Sequence, residues 1–92
     1  MHLEIVSPEA TLFSGEVSSV TVPGSAGSFQ MLNDHAPIVS TLKQGTVTIN
    51  GKIEVQDAFK AKFKQMSSDI TLFKISAGTV EMKNNKMILL AD

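Results

Sequence analysis

Apolar residues recur at every second position in short runs, and breaks rich in Gly, Pro, Asn and Ser separate those runs. Alternation of this kind buries one face of a strand, and many such runs in series predict an all-β sandwich or barrel. Leu3 and Ile5 alternate with His2, Glu4 and Val6 until Ser7-Pro8 ends the run. Leu12-Phe13 precedes a predicted Ser14-Gly15 turn. Val20 and Val22 alternate with Ser19 and Thr21, and Val17, out of phase with them, predicts a bulge or bend near Ser18. Pro23-Gly24-Ser25-Ala26-Gly27 reads as a loop whose two glycines are free to take positive φ. Phe29 and Met31 alternate in the next strand, which Asn33-Asp34-His35-Ala36-Pro37 breaks.

Register separates two later hairpins. A two-residue Asn50-Gly51 turn would put the apolar sets Val47/Ile49 and Ile53/Val55 on opposite faces. A three-residue loop, Asn50 to Lys52, pairs Ile49 with Ile53 and Val47 with Val55, and is the expectation here. Asn84-Asn85 as a two-residue turn pairs Met82 with Met87 and Val80 with Leu89, which predicts a tight hairpin with Lys83 and Lys86 as solvated flanks. Residues 56–66 fit two periods. Phe59, Phe63 and Met66 share a helical face, whereas Phe59, Ala61 and Phe63 alternate against Lys60, Lys62 and Lys64 as in a strand. An isolated helix of that length is marginal, so strand is preferred.

Ninety-two residues allow one domain, 1–92, which buries only about 60–65% of its unfolded surface and gains from leaning on a second protein. Eight Lys/Arg balance nine Asp/Glu, and every base is lysine. Without arginine, Trp or Tyr, neither the bidentate phosphate fork nor an ample stacking platform exists, so nucleic-acid binding is not expected. The chain has no cysteine, hence no disulfide, thiolate nucleophile or cysteine zinc site. The first strand-like run starts at Leu3, so no signal peptide is expected, and no apolar run reaches the ~20 residues of a membrane span. A soluble, cytoplasmic domain is expected.

Candidate chemistry is sparse. His35 beside Asp34 offers an acid–base pair or half a metal site, but a third ligand at suitable spacing is missing. Loop orientation or partner contact is the stronger reading. No nucleophile-elbow pattern surrounds any serine. Gly24-Ser25-Ala26-Gly27 lacks the glycine spacing, the Lys-Ser/Thr and the following helix of a phosphate loop. Lys86-Met87 beside a turn invites a biotinyl- or lipoyl-carrier reading, yet in such domains the lysine occupies the turn tip, held here by Asn84-Asn85.

An ordered string of motifs spans nearly the whole chain: Leu3-Glu4-Ile5-Val6-Ser7-Pro8-Glu9, Leu12-Phe13-Ser14-Gly15-Glu16-Val17, Val22-Pro23-Gly24, His35-Ala36-Pro37, Ser76-Ala77-Gly78 and Leu90-Ala91-Asp92. In that order they resemble the N-terminal β-sandwich domain of the epsilon subunit of bacterial F-type ATP synthases. The resemblance implies two five-stranded sheets packed face to face, and a rotor subunit without catalytic residues, cofactor or metal. It also implies two partners, the gamma subunit and the polar loops of the membrane c-ring, and a peripheral place on the cytoplasmic face of the bacterial plasma membrane. By the same resemblance Ser25, Ala26, Gly27, Ser28, Phe29, Gln30 and Met31 meet the c-ring, and Ser7, His35 and Ser40 face gamma. Many relatives carry an acid at Ser28 and glycine at Gln30, so shape fit and hydrogen bonding replace charge pairing here. Most relatives continue into a two-helix domain that brakes ATP hydrolysis. This sequence stops at Asp92 and is expected to dock and couple without that brake. Residues 56–69 form a longer segment than in most relatives.

Overall fold

Ten strands carry the alternation, in a computed structural model that describes all 92 residues. They are β1 (His2–Val6), β2 (Thr11–Glu16), β3 (Ser19–Gly24), β4 (Gly27–Leu32), β5 (Ile38–Leu42) and β6 (Gly45–Asn50). After a 3-10 helix (Asp57–Lys62) come β7 (Phe63–Ser67), β8 (Ile70–Ile75), β9 (Gly78–Lys83) and β10 (Lys86–Ala91).

The strand order β2-β1-β10-β9-β5-β3-β6-β8-β7, with β4 on the other side of β3, is a curled β-sandwich of two five-stranded halves. One half is β2-β1-β10-β9-β5 and the other β4-β3-β6-β8-β7. They are joined in the ladder by a single pair, Leu42 with Gly24. β5 and β6 are the two arms of one run that bends at Lys43-Gln44, and Gly45 lets the bend close. A Cβ there would stand 2.7 Å from Pro23 Cβ. Parallel pairing of β1 with β10 sets the first and last strands side by side, with Met1 and Asp92 at opposite ends of the pair. Leu3, Ile5, Val20, Val22, Met31, Val47, Ile49, Val80, Met82, Met87 and Leu89 interdigitate between the halves, essentially sealed from solvent. They are the inward set of the alternation.

The Asn84-Asn85 turn forms as expected, pairing Met82 with Met87 and Val80 with Leu89. Its φ values of 52° and 59° suit a type I′ turn, whose twist matches that of the strands. The bend near Ser18 also forms. Val17 is buried in it, and Ser18 N–H donates to Asn50 O at 2.7 Å.

Three expectations fail for identifiable reasons. Ser14-Gly15 is not a turn but lies within β2, where Gly15 pairs with Leu3. A bulge opposite the Ile5/Val6 step lets consecutive Leu12 and Phe13 both enter the core. Ile49 does not pair with Ile53, because β6 already has β3 on one edge and β8 on the other. Residues 52–56 instead form an unpaired strap, with Ile53 packed against the core. In 56–66 the strand begins only at Phe63; Asp57–Lys62 is the 3-10 helix, and Phe59 from the helix and Phe63 from β7 both pack on the core. Phe63 extends into a ring stack with Phe73, centroids 4.9 Å apart.

Candidate functional site

Two surfaces carry the sequence-predicted residues. The first is the β3–β4 hairpin. The five-residue loop expected there shrinks to a two-residue turn, Ser25-Ala26, between paired Gly24 and Gly27. Only Gly27 takes positive φ, +132°. Gly24 is required for space, since a Cβ would meet Gly27 O at 2.6 Å and the Phe29 ring at 2.7 Å. Ser25, Ala26, Gly27, Ser28 and Gln30 are exposed, and Phe29 is half-buried. Gln30 Nε2 is anchored on Ser19 Oγ at 3.3 Å.

Met31 departs from the expectation. Its side chain is fully buried in the core, because it shares the inward face with Phe29. A partner resting on this hairpin meets the outward set, not Met31.

The hairpin tip is fastened to β5. Ser25 N–H donates to Thr41 O at 3.0 Å and Lys43 N–H to Pro23 O at 2.9 Å. The hydroxyls of Ser25 and Thr41 lie 2.8 Å apart. The sequence shows no sign of this junction, since Thr41 is merely one of the outward residues of an alternating strand.

The second surface follows β5 and the loop before it. Ser40 lies directly opposite buried Val80, so it points inward, half-buried, and its hydroxyl donates to Thr41 O at 3.1 Å. Outward Val39 is 73% exposed, the most open large apolar side chain in the chain. Beyond β9, β5 has a ladder partner only at Leu42, so its edge from Ile38 to Ser40 is open.

His35 sits in the Asn33–Pro37 loop. Its backbone N–H donates to Leu32 O at 3.1 Å, and Nδ1 lies 2.7 Å from Ala36 O. Loop orientation, one of the two readings of His35, is thus present. Ser7 is placed elsewhere. It closes the β1–β2 turn, donating from Oγ to Ala10 O at 3.2 Å and accepting Ala10 N–H at 3.3 Å. Three strand steps, about 14 Å, separate β1 from β5. The fold therefore places His35 in the loop that leads into β5 and Ser40 on β5 itself, and sets Ser7 apart.

No reactive constellation accompanies these surfaces. No group of three or more His, Cys, Asp or Glu side chains is arranged to hold a metal. A recess of about 770 Å³ lies under the strap between Ile53, Val55, Asp57, Lys60, Phe63 and Thr71. Lys86 stands in β10 with its ammonium 3.2 Å from Glu4, away from the tip that a carrier lysine occupies. No helix is long and apolar enough to cross a membrane.

Comparison with known proteins places this geometry. All 92 residues match the family described as ATP synthase, Delta/Epsilon chain, beta-sandwich domain. The ATP synthase epsilon chain of Campylobacter curvus is 36% identical over 92 residues, all of this chain and 60% of that protein. The epsilon chain of Chlorobium limicola is 37% identical over 90 residues, 98% of this chain and 86% of that one. Among solved structures, a chain of the Tetrahymena thermophila mitochondrial ATP synthase central stalk/c-ring superposes with a TM-score of 0.74 at 16% identity. It covers 98% of this chain and 61% of its own. A chain of the Euglena gracilis mitochondrial enzyme gives 0.73 at 14% identity, covering 97% and 48%. Matched from Met1 to Asp92 by one profile and folded like a chain of the rotary assemblies, this chain belongs to the β-sandwich domain family of ATP synthase delta/epsilon chains.

Proposed function

We infer that the chain is a non-catalytic subunit of the central stalk of an F-type ATP synthase. It couples proton-driven rotation of the c-ring to the gamma subunit and so to ATP synthesis. The match of the whole chain to the delta/epsilon family carries this reading. The β3–β4 hairpin, Ser25 to Gln30, meets the polar loops of the ring. Gamma is met by the open edge of β5 with His35 and Ser40, and Ser7 adds a contact at the β1–β2 turn. The protein sits peripherally on the cytoplasmic face of the bacterial plasma membrane, held by the complex.

Transmission of torque asks for a broad, stiff contact. Two sheets packed at near-crystalline density supply the stiffness. The gamma interface is expected to bury at least the standard area of about 1,600 Å² in total. Purification of the tagged chain from native membranes in mild detergent tests the reading. Gamma and the ring protein are expected with it in fixed proportion, and recovery of the chain without them overturns it.

A further inference from the structure

The two proposed contact surfaces meet at a single point. β3 belongs to both halves of the sandwich, because its last residue pairs with Gly27 of the hairpin and with Leu42 of β5. Around that corner the Ser25–Thr41 and Lys43–Pro23 backbone bonds and the Ser25–Thr41 hydroxyl pair tie the exposed tip to the strand that offers its edge. Elsewhere β4 is bound in the ladder only to β3. Without the corner ties, the tip of a two-stranded ribbon is free to twist relative to β5.

We propose that Thr41 is a positioning residue for torque transfer. Its carbonyl and hydroxyl hold Ser25 so that the hairpin tip keeps a constant angle to β5, and load entering at the tip leaves through the β5 edge. This rests on the assignment of ring and gamma surfaces made above. The hydroxyl pair adds a side-chain tie to the two backbone bonds and so stiffens the joint at its exposed tip.

Amide hydrogen exchange of the full chain reads the joint directly, through the Ser25 and Lys43 N–H groups. In Thr41→Val, which keeps the shape and the carbonyl, both amides are expected to exchange about three- to tenfold faster, the loss of one net hydrogen bond. Thr41→Ser is expected to restore slow exchange. In inverted membrane vesicles carrying the assembled enzyme, protons pumped per ATP hydrolysed are expected to fall in Thr41→Val and recover in Thr41→Ser. Unchanged exchange in Thr41→Val overturns the joint. Faster exchange with unaltered pumping overturns its part in coupling, as does a Thr41→Ser enzyme as impaired as Thr41→Val. A wild-type chain that never co-purifies with the ring overturns the parent assignment instead, before any variant is compared.

Discussion

Asn85 Oδ1 accepts the backbone N–H of Asp34 at 2.8 Å, so the β9–β10 turn holds the loop that presents His35. The same side chain donates from Nδ2 to Asn33 Oδ1 at 3.0 Å. Asn85 is itself left-handed at φ 59°, a conformation asparagine tolerates better than most residues. One residue thus shapes its own turn and orients a loop from another part of the sheet.

Asn85→Ala is expected to lose both bonds and to add left-handed strain, about 2–4 kcal/mol in all. Asn85→Gly accepts the backbone and loses only the bonds, about 1–2 kcal/mol. Urea unfolding of both variants checks the difference. Equal losses would mean that the turn is unstrained.

A bulky or charged replacement at His35, such as His35→Glu, is expected to weaken gamma binding while the chain keeps its unfolding midpoint. The wild-type imidazole bonds only within its own loop, 2.7 Å from Ala36 O, so its removal leaves the core untouched. Calorimetric titration with purified gamma is the measurement. Unaltered affinity removes His35 from the contact.

Within the hairpin, burial separates structure from contact. Met31→Ala is expected to cost about 2–5 kcal/mol, as deletion of a sealed core side chain does. Gln30→Ala costs under about 1 kcal/mol, because its one bond to Ser19 is partly solvated. A thermal melt of each distinguishes them, and a harmless Met31→Ala would contradict its place in the core.

Addition of ATP is expected to leave the thermal midpoint unchanged. The Gly24–Gly27 segment is a tight connection between paired strands, with no helix after it to cradle phosphate. A midpoint that climbs and saturates with ATP would reveal a site by linkage.

Most of the fold was legible because the strand period is strict. The inward sets Leu3/Ile5, Val20/Val22 and Val80/Met82 stand buried as the alternation requires. The Asn84-Asn85 register followed from its facing apolar pairs. Alternation does not say which strand lies alongside, however, and this misled the reading of Ile53 and Val55. Their period is real, but β6 has no edge left for them. The proposed contact surfaces were drawn only from a family pattern. Met31 turns inward by the strand period it shares with Phe29, whereas the join of Ser25 to Thr41 is set by pairings distant in sequence.

The strap over residues 52–56 has a consequence for solubility. It lies between Thr11–Ser14 of edge strand β2 and Phe63 and Gln65 of edge strand β7. Unpaired edges are templates for strand addition by other molecules. A stretch of irregular chain that makes no ladder of its own thus lies beside both edges, and nicking it with a protease is expected to open them to strand addition.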